Sequence, residues 1–283
     1  MPEGDTIFIT ARRLDGALAG RDVTGFHSRL GPLTALPVPG GVVGRAIDGV
    51  EARGKHLLIR LSGDLILRTH LRMHGAWHLY RPGERWRRAA SRERVRIETR
   101  DWLAIGFDVP VAEWLTGRAL ARHPIVQALG PDLLRDDCDP IEARRRLAAR
   151  GDLDIADALL DQRALAGLGN VYKSEVLFAC RVHPFAKASA LPAEVLDRLV
   201  DTARRMLAAN VSPGRDLPGA GRRTTNRLRA DESLWVYRRA RQACHRCGTT
   251  IRMQRSGPDA RSTYWCPACQ AADDAGDTPT AGH

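Results

Sequence analysis

Cys244-His245-Arg246-Cys247 and Cys266-Pro267-Ala268-Cys269 are the most informative stretches of the sequence, and 18 residues separate them. Paired Cys-x-x-Cys motifs at this spacing place four thiolates tetrahedrally around a metal ion. The chain between them is predicted to form a β-hairpin that turns at 256–259. Two disulfides are the rival interpretation, but they do not suit a cytoplasmic chain. We therefore predict one structural zinc ion, bound by Cys244, Cys247, Cys266 and Cys269.

Length and composition indicate a globular protein with room for two domains. The chain has 283 residues, of which 43% are hydrophobic and 27% charged. It has no apolar run long enough to cross a membrane and no signal-peptide core, so we expect a cytoplasmic, nucleoid-associated monomer without a membrane partner. The net charge of +11 and the sequence pI near 10.1 favour a polyanion as partner. The basic residues are clustered, which points to nucleic acid.

The first half of the chain predicts one helix followed by β-structure. Asp5 or Thr6 can cap a helix with apolar residues on one face, and Gly20 can end it. From about 21 to 110, short alternating or apolar runs are broken by Gly and Pro, which is typical of a β-sandwich or barrel. Residues 81–96 form a strongly basic loop, either a solvated face or a track for phosphates.

From residue 129 onward the pattern is helical. Asp139 and Pro140 suit the N-cap and first position of a helix, with Glu142 placed for a capping box. A second helix is predicted at roughly 153–161. A third begins at the Gly-rich turn that ends in Asn170, and a further one begins at Pro192. The Gly-rich turn can offer backbone N–H groups and the Asn170 side chain to a phosphate, although an ordinary helical hairpin has the same pattern.

Residues 49–55 come close to a nucleotide-binding P-loop, but the match fails. His56 stands where a metal-binding Ser or Thr is required, and the following residues alternate like a strand. Lys55 is one of only three lysines in a chain rich in arginine. It is either a solvated lysine at a strand start or a compact charge and proton carrier that arginine could not replace.

The chain starts Met1-Pro2-Glu3-Gly4, and trimming of Met1 would expose a prolyl secondary amine. An α-amine has a pKa of about 8 and a lysine about 10.4, so roughly 10% against roughly 0.04% is free base at pH 7. Pro2 is therefore a candidate nucleophile toward a carbonyl-like carbon, with the Glu3 carboxylate beside it. A loose terminus without a function is the alternative.

Six segments together resemble the formamidopyrimidine-DNA glycosylase and endonuclease VIII family of base-excision repair enzymes. In chain order they are Pro2-Glu3-Gly4, Gly54-Lys55-His56-Leu57-Leu58, His70-Leu71-Arg72-Met73-His74-Gly75, Leu129-Gly130-Pro131-Asp132-Leu133-Leu134, Gly167-Leu168-Gly169-Asn170-Val171-Tyr172-Lys173-Ser174-Glu175 and Arg261-Ser262-Thr263-Tyr264-Trp265-Cys266-Pro267. They follow the family's order and span residues 2 to about 270. Each is weak alone, but the set is highly specific.

The resemblance implies an α+β multidomain fold with DNA in the cleft between two domains. Residues 1–118 would form a catalytic β-sandwich with an N-terminal helix, followed by a linker at 119–130. Residues 131–234 would form a helix–two-turn–helix domain with a flexible Arg-rich loop. Residues 235–271 would form the zinc-finger β-hairpin, and 272–283 a disordered tail.

By the same resemblance, the chain is a bifunctional DNA glycosylase and AP lyase. Pro2 would attack C1′ of a flipped nucleotide to give an iminium, and Glu3 would act as general acid/base. Lys55 would bind the lesion's phosphate and assist proton transfer, while Asn170 and Arg261 clamp the backbone. Loss of the base and β,δ-elimination would follow. Met73, flanked by Arg72 and His74, stands at the family's wedge position, although a core methionine is the alternative.

The lesion is predicted from a departure from the family. Enzymes of the 8-oxoguanine type carry an arginine in a segment that here corresponds to 105–114, where no arginine occurs before Arg118. We therefore expect only Arg72, Met73 and His74 to fill the gap, a weak choice of opposite base, and tolerance of single-stranded or bubble DNA. Oxidised pyrimidines are the expected lesions. The alternatives are a glycosylase for 8-oxoguanine and formamidopyrimidine, or a non-catalytic binder of damaged DNA, which would not need Pro2, Glu3 and Lys55.

Overall fold

A computed structural model describes residues 2–34, 38–212, 221–227, 229–257 and 259–272. The chain divides into two compact units, Met1–Asp136 and Asp137–His283. Much of the predicted Arg-rich loop and residues 273–283 of the predicted tail lie outside the described residues. None of the helices in the described ranges combines the length and apolar character needed to cross a membrane.

The first unit is a β-sandwich with an N-terminal helix, as predicted. Its helices are α1 Gly4–Leu18, α2 Gly31–Thr34, α3 Gly117–Ala121 and α4 Pro124–Gln127. Its strands are β1 Gly25–Ser28, β2 Ile47–Arg53, β3 His56–Leu61, β4 Leu65–His70, β5 Ala76–Tyr80, β6 Glu93–Glu98, β7 Leu103–Phe107 and β8 Val111–Leu115. A short 3₁₀ helix, Ala90–Arg92, precedes β6. Helices α3 and α4 fall on the stretch expected as a linker.

Two antiparallel four-stranded sheets form the sandwich, in the orders β2-β3-β4-β8 and β1-β6-β7-β5. Apolar side chains of both sheets and of α1 share one core, in which Leu14, Ile59 and Ile97 are almost fully buried. The alternation along β6, with every second residue buried, is the pattern expected of a strand with one face on the core.

Helix α1 begins earlier than its sequence predicted. Glu3, and not Asp5 or Thr6, is the N-cap: its backbone is extended, and its carbonyl accepts from Ile7 N at 3.0 Å. Asp5 Oδ1 accepts from Thr6 N at 2.7 Å, so the carboxylate is used inside the first turn. The chain leaves the helix through Gly20, whose φ of +75° suits glycine.

The second unit is mainly helical. Its helices are α5 Pro140–Ala148, α6 Ile155–Leu160, α7 Asn170–Cys180 and α8 Ala193–Val211, with 3₁₀ turns at Ala188–Ala190 and Ala230–Glu232. Asp139 caps α5 as predicted, accepting from Ile141 N at 2.9 Å. Glu142 does not complete a capping box, because its carboxylate binds Arg145 and Arg146 instead. Strands β9 Arg252–Ser256 and β10 Arg261–Trp265 form the predicted hairpin between the two cysteine pairs.

A fully buried carboxylate joins α7 to the segment that leads into the hairpin. Glu175 Oε1 accepts from Val236 N at 2.9 Å and Tyr237 N at 2.8 Å. Its Oε2 accepts from Trp235 N at 2.7 Å and from the Thr224 hydroxyl. Buried N–H groups have no access to water and need an acceptor within the protein. The Glu175 carboxylate is that acceptor for three backbone N–H groups.

Replacing Glu175 by Gln should destabilise the second unit. The amide keeps one oxygen but turns an N–H₂ group toward donors, which leaves buried N–H groups unpaired and costs about 3 kcal/mol. We expect a lower urea midpoint for Glu175→Gln than for the wild type. Glu194→Gln, at an exposed position of α8, is the matched control. Equal midpoints for both variants would contradict the anchoring role of Glu175.

Candidate functional site

Packing of α1 on β2 fixes which end of the sandwich carries the chain start. Asp15 Oδ1 accepts from Val50 N at 2.7 Å, and Gly20 N donates to Ile47 O at 2.8 Å. The helix and the strand therefore run in opposite directions. From the Asp15–Val50 contact, α1 extends about 18 Å back to Glu3, and β2 extends about 17 Å on to Lys55. Pro2, Glu3 and Lys55 thus lie toward the same end of the unit.

The two N-terminal candidate residues differ in exposure. Glu3 is fully buried, whereas Pro2 is half-buried and keeps access to solvent. After removal of Met1, the Pro2 nitrogen would be a partly accessible amine next to this buried carboxyl group, a pair that suits proton transfer in a site with little water. The backbone N–H groups of the first turn of α1 also make this end favourable for negative charge.

Lys55 lies in the tight turn between β2 and β3. Gly54 has a φ of +57°, and its N–H donates to Asp132 Oδ2 at 2.6 Å. The turn joins two antiparallel strands and opens no helix, so the rejection of a nucleotide-binding loop is confirmed. Asp132 belongs to one of the six family-like segments and holds the turn that presents Lys55.

A buried polar network follows directly after Lys55, and no local sequence pattern predicts it. Arg68 donates to His56 Nδ1 at 2.7 Å and pairs with Glu113. His123 Nε2 lies 3.1 Å from the same carboxylate, and its Nδ1 accepts from Val126 N, so Nε2 carries the proton. The network ties three strands to the start of α4.

Two histidines at this end are neutral at pH 7. Burial lowers the pKa of His56 to about 3, with further lowering by His70 and Arg68. Burial also lowers the pKa of His70 to about 4, and the charges of Arg72 and Lys55 add to the effect. The influence of Lys55 on His70 agrees with strand pairing, since His70 lies opposite His56. Positive charge at this end is therefore carried by lysine and arginine.

The loop from β4 to β5 holds the predicted wedge. Met73 is 46% exposed, which excludes the core methionine that was the alternative, and Arg72 and His74 are also exposed. Arg72 has a φ of +49°, and its N–H donates to His70 Nδ1 at 3.1 Å. A Cβ at Gly75 would lie 2.6 Å from Leu71 O, so only glycine fits this close turn.

The basic stretch 81–96 was predicted to be a loop, but β6 begins at Glu93, and two arginines of the part before that strand reach the same end. Arg88 and Arg92 both bind Asp108, which directly follows β7. This arrangement could not be predicted from residues 105–114, because both arginines come from an earlier segment that strand pairing brings to Asp108. The strand register explains why these groups meet. Phe107 pairs with both Glu93 of β6 and Ala76 of β5, so the residues just before these two strands lie at the same edge of the sheet.

In the second unit, Asn170 is the first residue of α7 and lies against the hairpin. Its Nδ2 donates to Ser262 O at 2.8 Å, while its buried Oδ1 has no hydrogen-bond partner among the described residues. Lys173, one turn later, is fully buried and donates to Thr263 Oγ1 at 2.8 Å and Ser262 O at 3.3 Å. The helix and β10 are therefore locked together beside Arg261.

Arg261 is the first residue of β10, and its side chain is 40% exposed. It lies 3.3 Å from Asp259. Such an exposed ion pair is worth little, so a phosphate can compete for the guanidinium. Asn170 on α7 and Arg261 on β10 therefore lie on two elements that are in direct contact.

The four candidate metal ligands converge. The sulfur atoms of Cys244, Cys247, Cys266 and Cys269 all lie within 4.8 Å of one another, and none forms a disulfide. Tetrahedral zinc with Zn–S bonds of about 2.3 Å needs sulfurs about 3.8 Å apart. The observed Sγ–Sγ distances of 3.4 and 4.0 Å fit this requirement. The donor set is therefore that of a closed zinc site.

Three family models cover most of the chain. The formamidopyrimidine-DNA glycosylase N-terminal domain matches residues 1–108, and the H2TH domain of the same enzymes matches 129–217. The zinc finger found in FPG and IleRS matches 241–272. The chain belongs to the formamidopyrimidine-DNA glycosylase and endonuclease VIII family. The resemblance stated from the sequence is confirmed, and members of this family are DNA glycosylases and AP lyases of base-excision repair.

Curated relatives of the chain carry the names of both branches of the family. It is 44% identical over 274 residues to the "Probable endonuclease 8 2" of Streptomyces coelicolor, covering 96% of this chain and 94% of the relative. It is 42% identical over 272 residues to the "DNA-(apurinic or apyrimidinic site) lyase Nei2" of Mycolicibacterium smegmatis, covering 96% and 100%. A formamidopyrimidine-DNA glycosylase of Heliobacterium modesticaldum is 35% identical over 285 residues, covering 95% and 100%.

Solved structures confirm the family fold. The Lactococcus lactis formamidopyrimidine-DNA glycosylase, non-covalently bound to DNA with an AP site, matches with a TM-score of 0.79 at 23% identity. The match covers 95% of this chain and all of the other. A MutM complex with DNA containing carbocyclic 8-oxo-G matches with a TM-score of 0.80 at 24% identity, covering 96% and 100%.

Replacing one cysteine of the cluster should release the metal. We expect Cys266→Ser to lower the zinc content from one ion per chain to near zero, because a hydroxyl is a poor replacement for a thiolate. Cys138→Ser, at a half-buried cysteine outside the cluster, should keep the metal. Elemental analysis of the purified chains measures both. Zinc retained at full occupancy in Cys266→Ser would exclude a four-cysteine site.

Proposed function

We propose that the chain removes oxidised bases from DNA and cleaves the resulting abasic site through a Schiff base on Pro2. The observation that carries this proposal is the placement of Pro2, Glu3 and Lys55 toward one end of the first unit, with Glu3 fully buried. A protein that only binds DNA has no need for a buried carboxyl group beside an accessible amine. Relatives named endonuclease 8 and DNA-(apurinic or apyrimidinic site) lyase support the proposal.

The choice of nucleophile follows from the amines that the chain contains. Besides the N-terminus there are three lysines, Lys55, Lys173 and Lys187. Lys173 is fully buried beneath the hairpin, and Lys187 pairs with Asp154 at 2.8 Å, which raises its pKa. A high pKa leaves little free amine. The N-terminal amine of Pro2, with its intrinsically lower pKa, is the best nucleophile at neutral pH.

The proposed reaction starts with the Pro2 nitrogen forming a bond to C1′ of an extruded nucleotide. The bond from C1′ to the damaged base breaks, and the base leaves with a proton. Opening of the sugar gives a cationic iminium, which acidifies the C2′ hydrogens. Removal of a C2′ proton expels the 3′ phosphate, and a second elimination expels the 5′ phosphate. A one-nucleotide gap remains, and water hydrolyses the C1′–N iminium, which releases the unsaturated sugar fragment as an aldehyde and restores the Pro2 amine.

Each remaining candidate residue has a role in this scheme. Glu3 donates and accepts protons during sugar opening, and Lys55 binds the phosphate of the lesion and assists proton transfer. Asn170 keeps one amide hydrogen for a phosphate after its bond to Ser262, since an amide nitrogen carries two. Arg261 binds the next part of the backbone. The zinc ion stabilises the hairpin that carries Arg261 and has no open position for chemistry.

Retention of Met1 should abolish covalent capture. The Pro2 nitrogen would then be part of an amide and could no longer form an iminium. We expect no borohydride-trapped product on duplex DNA with an abasic site from chain that keeps Met1, but binding to an uncleavable abasic analogue should persist. Removing Met1 from the same sample with an aminopeptidase should restore trapping. Trapping at full yield before that treatment would refute the assignment.

The lesion is the finer part of the proposal, and we infer that it is an oxidised pyrimidine. Two observations support this choice. Relatives at 43–44% identity are named endonuclease 8 2, whereas the formamidopyrimidine-DNA glycosylase relative is 35% identical. Residues 105–114 also lack the arginine of the 8-oxoguanine type.

A direct comparison of substrates tests the lesion. Under single-turnover conditions, we expect thymine glycol or 5-hydroxycytosine to be excised at least about tenfold faster than 8-oxoguanine opposite cytosine, which corresponds to roughly 1.4 kcal/mol in the activation barrier. Duplexes of the same surrounding sequence serve as controls for one another. Faster excision of 8-oxoguanine would overturn the pyrimidine assignment and leave the glycosylase chemistry intact.

A further inference from the structure

An open hollow of about 380 Å³ lies beside the wedge loop in the first unit. Its walls are mainly apolar at Leu71, Met73 and Pro110. Charged and polar groups complete the lining, which consists of Leu71, Arg72, Met73, His74, Arg92, Asp108 and Pro110. The volume suits a nucleobase with part of its sugar, and the apolar surface suits the face of a base.

Asp108 organises the charged wall of this hollow. Its Oδ1 accepts from Arg92 Nε at 3.0 Å, and its Oδ2 lies 2.7 Å from Arg92 Nη2. Arg88 donates to the same Oδ2 at 2.9 Å and to His74 O at 3.2 Å. The hydrogen bond from Arg92 lowers the pKa of Asp108, so the carboxylate is charged at neutral pH. One carboxylate thus fixes two arginines and, through Arg88, the wedge loop.

The rest of the basic loop is anchored by aromatic rings. Trp86 packs against Tyr80 and Phe107 on the outer face of the sheet, with ring centroids 6.3 and 5.9 Å apart. The Tyr80 hydroxyl accepts from Arg87 N at 3.0 Å. These contacts hold the loop against the sheet. Arg88 and Arg92 therefore have defined positions and are not freely solvated charges.

Arg92 remains available for a ligand despite its ion pair. Its side chain is 51% exposed, whereas Asp108 is 19% exposed. The bidentate pair occupies Nε and one hydrogen of Nη2, so Nη1 and the other Nη2 hydrogen can be donated to a ligand. Asp108 holds one edge of the planar Arg92 guanidinium and thereby fixes the orientation of its other edge. The side chain therefore loses little rotational freedom when it binds a ligand.

We propose that this hollow receives the base left unpaired opposite the extruded nucleotide, and that Arg92 reads it. The proposal rests on the proposed glycosylase function, and it revises the expectation that Arg72, Met73 and His74 act alone. Arg92 is a specificity-determining residue supplied by a different loop, and Asp108 is its positioning residue. The apolar face of the base packs on Met73 and Pro110 while its edge accepts from the guanidinium.

The donor pattern of Arg92 selects among opposite bases. A guanidinium offers only donors, and guanine presents two neighbouring acceptors, O6 and N7, whereas adenine pairs its N7 acceptor with an N6 donor. Opposite an oxidised pyrimidine the natural partner is guanine or adenine. We therefore expect a preference for guanine, as found opposite oxidised cytosine.

Binding to an uncleavable abasic analogue tests the proposal without relying on excision. Dissociation constants are measured for duplexes that place guanine, adenine, cytosine or thymine opposite a tetrahydrofuran site. For the wild type we expect binding about tenfold tighter opposite guanine than opposite adenine, the lower part of the range for a bidentate contact. Arg92→Ala should bind all four duplexes within about twofold of one another. Arg92→Lys should keep the charge and the overall affinity but lose the guanine preference.

Two controls separate reading from charge and from folding. Arg85→Ala removes an exposed arginine of the same loop that does not line the hollow, and it should keep the guanine preference. Asp108→Ala keeps both arginines and should lose the preference because Arg92 is no longer held. A uniform loss of affinity across all four duplexes in Arg92→Ala, with an unchanged preference for guanine, would mean a phosphate contact and overturn the proposal.

The outcome for the glycosylase function is read separately. Excision of 5-hydroxycytosine opposite guanine by the wild type measures the glycosylase function without any comparison of opposite bases. Absence of this excision would count against the proposed function only. An unchanged guanine preference in the binding of Arg92→Ala, with excision by the wild type intact, would count against the reading role only.

Discussion

A terminal amine can serve as a nucleophile only if the start of the chain is held in place, and chain termini ordinarily fray. Here the helix begins at Gly4, directly after the candidate residues, and Glu3 is its buried N-cap. The bond from Val50 N to Asp15 fastens that helix to β2. This packing decides which end of the sandwich receives the amine. The other candidate residues of the unit gather there because β-hairpins return the chain to the same edge.

The second unit holds a set of hydrogen-bond donors in fixed positions, as binding of a polyanion requires. Two buried charged residues of one helix, Lys173 and Glu175, bind the hairpin and the segment before it. The four cysteines lie before β9 and after β10, at the end of the hairpin away from its turn. A flexible basic segment would bind DNA through charge alone, whereas this arrangement fixes Asn170 and Arg261 in position at the cost of several buried polar groups.

Sequence reasoning succeeded where the signal is local. The spacing of Cys244 to Cys269 predicted the metal cluster and the hairpin, and the Gly-rich turn before Asn170 predicted the start of α7. His56 and the strand-like alternation after it were enough to exclude a P-loop. The exposed position of Met73 could not be derived from its own pattern, because wedge and core methionines look alike in sequence. The family likeness supplied that expectation.

The parts that could not be predicted depend on contacts between distant segments. Asp108 with Arg88 and Arg92, and His56 with Arg68 and Glu113, join residues that are brought together only by strand register. The start of α1 was missed by two to three residues, because Asp5 is of a residue type that favours N-caps but its carboxylate accepts from the next residue. Local sequence patterns thus predict the helices and strands but not the polar networks between them.

Mapping the covalent bond to DNA identifies which amine of the chain is the nucleophile. The wild-type chain without Met1 is trapped with borohydride on abasic-site DNA, digested with protease and nuclease, and mapped by tandem mass spectrometry. We expect the deoxyribose remnant on the nitrogen of Pro2, within the N-terminal peptide. A remnant on Lys55, the remaining accessible amine of the first unit, would contradict it.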